Sequence, residues 1–342
     1  MKAMVLNSIG DLTSDEIPLN LVQKPKPVPR AGEILIRVKA CGVCRTELDE
    51  IEGRAKPSFY PIILGHQVTG VVEETGPEGS RFSTGQRVGV GWFYSSCGRC
   101  RFCLSGKENL CPEFKATGRD ADGGYAEYMV VPERSAHLLP ETLSDIQLAP
   151  LLCAGAIGYR CLRLSGLQDG QTLGLLGFGA SGHLVLQMAR HLFPHSPIFV
   201  FTRSEKERQL AKELGAAWTG EITCAPPAPL EAAIDTTPVW KPVLHGLAHL
   251  ERGGRLIINA ISKEETDRSE LVHLDYQKHL WLEKEIKSVA NVTPADIAGC
   301  LSLAEKIPLR PEVQTYSLQE ANLALREIKL GRIRGAKVLL IG

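Results

Sequence analysis

The sequence predicts an α/β protein of two domains, one all-β and barrel-like and one built on a doubly wound parallel sheet. Its 342 residues exceed one ordinary core and fit two domains of common size. Up to about residue 150, short β-type runs alternate with Gly and Pro turns. From about Gly170, apolar strands alternate with tight turns and amphipathic helices, which is typical of parallel βαβ units.

The strands of the first domain are predicted from short apolar or alternating runs. The clearest are EILIRVKA (Glu33 to Ala40), VTGVVEE (Val68 to Glu74) and RVGVGW (Arg87 to Trp92). Because Gly and Pro turns separate these runs and no long helical pattern intervenes, they predict an antiparallel, barrel-like arrangement.

The second domain is predicted from strand, turn and helix patterns in succession. TLGLLGFG, SGHLVLQMARHL, IFVFT and SEKERQLAKELGA follow one another, and further strands are expected at AAIDTT, RLIINAI and EIKSVAN. A helix with Thr293 as N-cap and Pro294 in its first turn comes next. We expect the final strand, AKVLLIG, to return to the first domain.

Charge and composition exclude several classes of function. Lys plus Arg and Asp plus Glu both number 39, so no long-range field would attract nucleic acid or an anionic membrane, and a small-molecule partner is expected. The N-terminus lacks an apolar signal region, and no apolar stretch reaches the ~18 residues of a membrane span. We therefore predict a cytoplasmic protein, in which the ten cysteines serve as metal ligands or core thiols.

Four cysteines in the segment CGRCRFCLSGKENLC predict a structural metal site. Cys97, Cys100, Cys103 and Cys111 have spacings of two, two and seven residues, which lets one loop wrap four thiolates around a tetrahedral zinc ion. Four thiolates fill the coordination shell and leave no position for a substrate. An iron–sulfur cluster is the competing interpretation, although the usual bacterial spacing differs. Four unliganded thiols would be a third interpretation.

A glycine motif predicts dinucleotide binding. It consists of Gly177, Gly179 and Gly182, which follow an apolar strand and open a helix. The glycines allow a tight turn and a close approach of the backbone to a pyrophosphate at the helix N-terminus. The motif is weak alone, and this strand–turn–helix context gives it meaning.

The end of the next strand favours NADP over NAD. An Asp or Glu would bind the ribose 2′-hydroxyl of NAD there, but the chain has Thr202, Arg203 and Ser204. An arginine without an acid beside it suits a 2′-phosphate. Alternatively, Arg203 is only a solvated charge and NAD binds, since Glu205 and Glu207 lie nearby on the following helix.

The other candidate metal ligands are dispersed, and the residues alone do not say which of them converge. Taken singly, a His next to Gly is more often a structural hydrogen-bonding group, and a buried Cys usually packs as a small hydrophobe. The candidates are Cys41, Cys44, His66, Cys153, Cys161, Cys224 and Cys300.

Four motifs together resemble the medium-chain zinc-dependent alcohol dehydrogenase family over nearly the whole chain. They are CGVCRTELD (Cys41 to Asp49), LGHQVTG (Leu64 to Gly70), the four-cysteine segment and GFGASG. The Thr-Arg-Ser sequence, with HLWLEKEIKSVANVT, resembles the cinnamyl-alcohol-dehydrogenase-like branch, whose members commonly use NADP. The resemblance implies a GroES-like β-barrel catalytic domain (residues 1–153 and 290–342) with a Rossmann domain (residues 154–289) inserted.

The resemblance also implies a catalytic zinc held by Cys44, His66 and Cys153. Two thiolates and one imidazole leave a fourth position open, where the zinc acts as a Lewis acid on an alcohol or aldehyde oxygen. The remaining thiols are then expected to be packed in the protein: Cys41, Cys161, Cys224 and Cys300.

The resemblance implies roles for further site residues. Thr46 matches the family's proton-accepting Ser or Thr, and Glu47 matches an acid that supports the site, or else is a solvated charge. Asp49 stands where the family's proton relay often has a His, so either Asp49 accepts the proton or the exit path differs. Gln67 replaces the family's usual Glu, and Trp92 lines the substrate pocket or belongs to the barrel core.

The activity implied is hydride transfer between a primary alcohol (aliphatic, benzylic or cinnamyl-type) and NAD(P), by a homodimer or homotetramer. Two rival functions remain open from the sequence. A zinc-free quinone or enone reductase has the same fold, but the Cys–His–Cys set argues against it. A nucleotide-binding sensor would keep the fold without turnover, and the metal content per chain would distinguish it.

Overall fold

The computed structural model describes residues 1–12, 17–77, 80–307, 309, 311–331 and 335–342. The chain divides into two compact units, one made of Met1–Ala156 with Val292–Gly342 and the other of Ile157–Asn291. Within the described ranges, every helix is too short or too polar to cross a bilayer.

The N-terminal part of the first unit consists mainly of antiparallel strands. Its strands are β1 (Lys2–Leu6), β2 (Leu19–Gln23), β3 (Glu33–Val43), β4 (Ile62–Ile63), β5 (Val68–Thr75), β6 (Arg87–Val90), β7 (Phe93–Ser95), β8 (Lys115–Ala116), β9 (Tyr128–Pro132) and β10 (Ala136–Leu138). Its helices are short and are α1 (Arg45–Ile51), α2 (Arg101–Leu104) and α3 (Asp145–Leu148), with 3-10 turns at Glu108–Leu110, Glu133–Ser135 and Ala149–Leu152.

The second unit alternates strands and helices along the chain. Its helices are α4 (Ala154–Ser165, which begins at the end of the first unit), α5 (Gly182–Leu192), α6 (Glu205–Glu213), α7 (Lys241–His249) and α8 (Tyr276–His279). Its strands are β11 (Leu173–Leu176), β12 (Ile198–Phe201), β13 (Trp218–Gly220), β14 (Leu230–Asp235), β15 (Leu250–Ile258) and β16 (Glu285–Ser288). A 3-10 turn occupies Arg268–His273.

The strands of the second unit form one six-stranded sheet in the order β13-β12-β11-β14-β15-β16, and every neighbouring pair is parallel. This is the strand order of doubly wound dinucleotide-binding sheets, in which the direction of winding reverses between the first and fourth strands. Those strands are β11 and β14 here. The central strands β11 and β12 are buried at every residue, as expected for a sheet covered on both faces. The predicted fold class is confirmed.

The chain then returns to the first unit through α9 (Pro294–Lys306), β17 (Val313–Ser317), the 3-10 turn Leu318–Glu320, α10 (Ala321–Lys329) and β18 (Ala336–Leu340). As predicted, Thr293 caps α9: its side chain accepts a hydrogen bond from the Asp296 N–H, and Pro294 lies in the first turn. The return of the final strand is confirmed as well, because β18 pairs antiparallel with β3.

Two sheets make up most of the first unit. The larger has the order β10-β6-β5-β3-β18-β17, with β9 also paired to β3, and the smaller has the order β2-β1-β4. Apolar residues from both sheets and from α10 pack into one core, among them Leu6, Ile34, Ile36, Val72 and Leu325. Strand β3 lies at the centre of this unit and ends at Val43, directly before Cys44. The core therefore fixes the backbone at the first predicted metal ligand.

Candidate functional site

Cys44 lies where β3 passes into α1, and it is the N-cap of that helix. Its Sγ accepts a hydrogen bond from the Thr46 N–H at 3.3 Å, and its own N–H donates to Glu47 Oε2 at 2.8 Å. The Glu47 N–H also donates to the thiol, so Cys44 and Glu47 form a reciprocal capping box in which a thiol replaces the usual hydroxyl. The local sequence therefore holds the Cys44 thiol in a fixed direction at the start of a helix.

Glu47 also holds the predicted histidine ligand. Its Oε1 lies 2.7 Å from His66 Nδ1, and both side chains are fully buried. A carboxylate beside Nδ1 keeps the proton on that nitrogen and leaves Nε2 free to bind a metal. One carboxylate thus orients two of the three predicted ligands, a role for Glu47 that goes beyond what its motif position implies.

His66 Nε2 faces both predicted thiol ligands. It lies 3.6 Å from Cys44 Sγ and 3.3 Å from Cys153 Sγ, although Cys153 is 87 residues away in the chain. The three donor atoms lie within 4.8 Å of one another. A nitrogen and a sulfur bound to one tetrahedral zinc would be about 3.6 Å apart. The donor set and its spacing therefore fit a zinc ion that keeps a fourth position open.

The protonation of these groups follows from their burial and mutual contact. A hydrogen bond with Cys153, together with burial, holds the pKa of the Cys44 thiol well above its ordinary value. Burial lowers the pKa of His66, but the Glu47 carboxylate and the Cys44 thiol outweigh this, and the pKa lies well above its ordinary value. A divalent cation would replace these protons, because metal binding requires thiolates and a neutral imidazole.

Trp92 lies against the histidine ligand. Its indole is 4 % exposed and meets the His66 ring edge-on, with the ring centroids 4.9 Å apart. The guanidinium carbon of Arg119 lies 5.5 Å from the centroid of the indole ring. Trp92 is therefore buried and also adjacent to the candidate metal site. Arg119 was not among the predicted site residues, because no motif indicated it.

The predicted proton-relay residues occupy the same helix. Thr46 and Asp49 are both buried. The Asp49 carboxylate accepts a hydrogen bond from Arg54 Nε at 2.6 Å, and Arg54 also donates to Glu52 at 2.5 Å. Burial raises the pKa of Asp49 despite the opposing effect of Arg54. Asp49 is thus a carboxylate that forms an ion pair with the guanidinium group of Arg54 and is held in place by it.

Gln67 is an uncharged residue directly after the predicted metal ligand His66. It is buried, its carbonyl accepts a hydrogen bond from the Gly42 N–H at 2.9 Å, and its side chain fills the space that a Cβ on Gly42 would need. Gln67 therefore packs against the backbone at the end of β3.

The four cysteines of the predicted structural site also converge. Cys97 Sγ lies 3.9 Å from Cys103 Sγ and 3.5 Å from Cys111 Sγ, and Cys100 Sγ lies 3.6 Å from Cys103 Sγ. Four thiolates around one tetrahedral zinc would be about 3.8 Å apart. A multi-iron cluster would separate its ligands further, so these distances favour a single ion over the iron–sulfur alternative.

Backbone amides already favour the anionic form of one of these thiols. The N–H groups of Arg99 and Cys100 donate to Cys97 and lower its pKa to about 6. The N–H of Glu113 donates to Cys111 Sγ at 3.4 Å. N–H donors directed at sulfur stabilise negative charge, which suits a metal-binding loop.

The remaining cysteines lie apart from both clusters. Cys41, Cys161 and Cys300 are buried, and Cys41 Sγ donates to the Gly42 carbonyl at 3.6 Å. The prediction that Cys224 is a packed thiol is wrong, because its side chain is exposed. The physical reason is its position in the turn after β13, where it precedes the Pro-rich loop and faces solvent.

The glycine motif forms a tight turn between β11 and α5. Gly177 has φ +90°, a conformation that favours glycine, and a Cβ on Gly182 would lie 2.6 Å from the Gly177 carbonyl oxygen. A Cβ on Gly179 would meet no protein atom within 4 Å. The first and third glycines are thus required by the fold, whereas the second leaves space at the helix N-terminus.

The end of β12, which is expected to select the cofactor, forms hydrogen bonds with charged side chains of α6. The Thr202 hydroxyl donates to the Glu207 carboxylate, and Arg208 Nη1 donates to the carbonyls of Thr202 and Arg203 at 2.7 and 3.1 Å. Ser204 caps α6 by accepting a hydrogen bond from the Glu207 N–H. The Arg203 side chain is exposed. Glu207 therefore lies closer to this strand end than its helix position suggested.

Comparison with known proteins gives a consistent result. Residues 30–141 match the model of the alcohol dehydrogenase GroES-like domain. The chain is 44 % identical over 332 residues to a probable alcohol dehydrogenase, AdhA, of Mycobacterium tuberculosis, covering 96 % of this chain and 94 % of that one. It is 31 % identical over 349 residues to an alcohol dehydrogenase of Geobacillus stearothermophilus, covering 99 % and 98 % of the two chains.

A solved structure agrees with these relatives. A thermostable alcohol dehydrogenase from Pyrobaculum aerophilum, described as cobalt and zinc bound, superposes with a TM-score of 0.87. The two sequences are 26 % identical, and the match covers 99 % of each chain.

Proposed function

Because the chain belongs to the medium-chain zinc-type alcohol dehydrogenase family, we propose that it transfers a hydride between a primary alcohol and NADP(H) at the site of Cys44, His66 and Cys153. The protein is an oxidoreductase acting on small alcohols or aldehydes. The first unit would be the GroES-like catalytic domain, and the second would bind the dinucleotide. Membership of the cinnamyl-alcohol-dehydrogenase-like branch stays a prediction.

The observation that carries this proposal is the convergence of the three donor atoms within 4.8 Å, with His66 Nδ1 held by Glu47. Two cysteines and one histidine are the catalytic zinc ligands already known for alcohol dehydrogenases. A zinc ion bound there supplies a Lewis acid at its open position. Glu47 would keep the imidazole in the binding tautomer, and the buried Trp92 would form an apolar wall beside His66.

The chain's own residues would also move the hydroxyl proton of the alcohol. We propose that Thr46 Oγ takes this proton first, because Thr46 is buried two residues from Cys44. Asp49 lies on the same helix, and its contact with Arg54 fixes the carboxylate for the next transfer. Of the two alternatives left by the sequence, we therefore propose Asp49 as the second proton acceptor, in place of a different exit path for the proton.

The four-cysteine cluster would hold a second, structural zinc ion. Its four thiols lie within 4.8 Å of one another and are all protein ligands, so the shell would be complete. We assign it no part in the reaction.

A substrate screen tests the proposed function. Purified protein would be assayed with aliphatic, benzylic and cinnamyl-type aldehydes, each with NADPH and with NADH. We expect reduction of at least one class with a preference for NADPH. Activity restricted to quinones or enones would instead support the zinc-free reductase, and cofactor binding without turnover would support a sensor.

The preference for NADP rests on the end of β12. Thr202, Arg203 and Ser204 stand there in place of an acid, and Arg203 extends into solvent where a 2′-phosphate could be bound. An acid at this strand end would favour NAD, and Glu207 supports this alternative because its carboxylate contacts Thr202. Burial raises the pKa of Glu207, and the hydrogen bond from Thr202 and the charge of Arg203 oppose this effect.

Arg203→Ala is expected to raise the KM for NADPH about tenfold or more and to change the KM for NADH less than about threefold, because only NADPH carries the 2′-phosphate. Steady-state kinetics with each cofactor measure this. Arg252→Ala removes another exposed arginine of the second unit and serves as the control. Equal effects of Arg203→Ala on both cofactors would mean that Arg203 does not select between them.

We further propose a homodimer or homotetramer. Strand β16 is at the edge of the six-stranded sheet, all four of its residues are exposed, Ile286 among them, and Trp281 and Leu282 just before it expose further apolar surface. An unprotected edge with apolar neighbours is a ready site for pairing with a second copy. Light scattering is expected to give a multiple of the 37.3 kDa chain mass. A mass of one chain would contradict this proposal.

We also propose a cytoplasmic location, because each of the ten cysteines is an unbridged thiol, as is usual in a reducing compartment.

A further inference from the structure

Lys263 is a buried lysine of the second unit that belongs to no motif. Its side chain is 8 % exposed and forms an ion pair with Asp235, which is fully buried at the end of β14. Its Nζ also donates to the carbonyls of Thr237 and Val239 at 2.8 and 2.9 Å. An ammonium group has three hydrogens, and these three acceptors use all of them. The side chain is therefore held in one position.

Asp235 extends this network into the loop that follows β14. Its Oδ1 accepts hydrogen bonds from the Thr237 N–H at 3.1 Å and from the Thr237 hydroxyl at 2.7 Å. Burial raises the pKa of Asp235, and the ammonium of Lys263 counteracts this. Without Lys263 the carboxyl group would be either protonated or an unpaired buried anion, and the loop would lose its support in both cases.

Other bonds join the same two chain segments. The Glu264 N–H donates to the Pro238 carbonyl at 2.7 Å, and the Asp267 carboxylate accepts from the N–H groups of Trp240 and Lys241, both at 2.8 Å. The segment after β15 is thus bound along the whole loop between β14 and α7. Lys263 forms the buried, charged centre of this attachment.

The loop held in this way packs directly against the glycine turn. The Thr236 N–H donates to the Leu176 carbonyl at 2.9 Å. A Cβ on Gly177 would lie 2.8 Å from Thr236 Oγ1 and 2.9 Å from a methyl carbon of Thr237. Both elements follow the carboxyl ends of β11 and β14, where doubly wound sheets bind their ligands. The position of Thr236 and Thr237 therefore determines the shape of one side of the glycine turn.

We propose that Lys263 and Asp235 are positioning residues for the dinucleotide, which fix Thr236 and Thr237 beside Gly177 so that the glycine turn is formed before the cofactor arrives. This inference rests on the proposed function, because it assumes that the second unit binds NADP(H). A preformed site binds more tightly than one that must be ordered on binding. The pair acts through the loop and does not touch the reacting atoms.

Lys263→Met tests this role, because it keeps an apolar stem of similar length and removes the ammonium group. We expect the Kd for NADPH, measured by fluorescence titration, to rise about tenfold or more. The KM for NADPH should rise in parallel, while kcat at saturating NADPH changes less than about threefold. Lys263→Arg keeps the charge and should restore at least part of the affinity.

Lys337→Met is the matched control. Lys337 lies in the first unit and is more deeply buried than Lys263, and it contacts Glu327 and donates to Gln314 Oε1 at 3.0 Å and to Tyr316 OH at 2.5 Å. Its loss should lower the melting temperature and leave the Kd for NADPH within about threefold of wild type. If Lys263→Met does not fold, Asp235→Asn provides the same test, because it removes the negative charge and exchanges only one oxygen for a nitrogen.

The outcomes separate this inference from the proposed function. If wild-type protein binds neither NADPH nor NADH, the proposed function fails and this inference fails with it. If wild type binds and the Kd is unchanged in Lys263→Met or Asp235→Asn, only the inference is overturned. A similar rise in Kd for Lys337→Met would also overturn it, because a general loss of stability would then explain the effect.

Discussion

Replacing Cys44 or His66 by alanine is expected to lower kcat at least about 10³-fold while dinucleotide binding stays close to wild type. Each residue supplies one of the three donors that converge there among the described residues, so its loss removes the catalytic zinc or leaves it poorly held. Polarisation of the alcohol or aldehyde oxygen by a metal lowers the barrier by several kcal/mol, and about 4 kcal/mol corresponds to a thousandfold change in rate. Turnover at saturating substrate and a fluorescence titration with NADPH measure the two effects separately.

Cys41→Ala is the control for this prediction. Cys41 is a buried thiol three residues before Cys44, but it lies outside the donor cluster. Its replacement removes the same atoms as Cys44→Ala, and we expect kcat within about threefold of wild type at temperatures below the melting point. Turnover near that of wild type in Cys44→Ala or His66→Ala would remove the assignment of the catalytic site.

Cys103→Ser in the four-cysteine segment is expected to release one zinc ion per chain and to lower the melting temperature by about 10 °C or more. This segment has few buried apolar side chains, since α2 has none, so the metal is expected to supply most of its stability. A loss of about 5 kcal/mol corresponds to a shift of this size in a unit of ~200 residues. Calorimetry and metal analysis measure the outcome.

Cys224→Ser is the control for the structural site, because it makes the same atomic change at an exposed position in the second unit. Its melting temperature and metal content should equal those of wild type. If Cys103→Ser keeps the full zinc content, or loses zinc without a change in melting temperature, the segment does not depend on a metal.

Features set by local sequence were predicted well. The four-cysteine segment is one loop, so its spacing alone limits the ligand geometry. Thr293 and Pro294 mark the start of α9 because capping depends on neighbouring residues. Five of the six strands of the second unit were predicted, because central parallel strands such as β11 and β12 are continuous apolar runs, whereas the three-residue edge strand β13 was missed.

Features set by long-range contacts were not accessible from residue patterns. Cys153 meets His66 across 87 residues, and only the family resemblance implied that they converge. Glu47 was assigned from its motif position, but its simultaneous contacts with Cys44 and His66 depend on how α1 packs. Trp92 was left between pocket and core, and the structure places it in the core and against His66.

A buried ion pair and an exposed thiol show the same limit. Lys263 and Asp235 are 28 residues apart and match no motif, so their ion pair could be seen only in three dimensions. Cys224 was predicted to be packed because most lone cysteines are, but the loop that carries it faces solvent. Residue type alone was a poor guide at both positions.

Catalysis as proposed depends on a metal held by Cys44, His66 and Cys153, and zinc analysis of wild type and His66→Ala tests this. We expect two zinc ions per chain in wild-type protein and one in the variant, because the four-cysteine segment keeps its own ion. Equal zinc content in the two proteins would contradict the account.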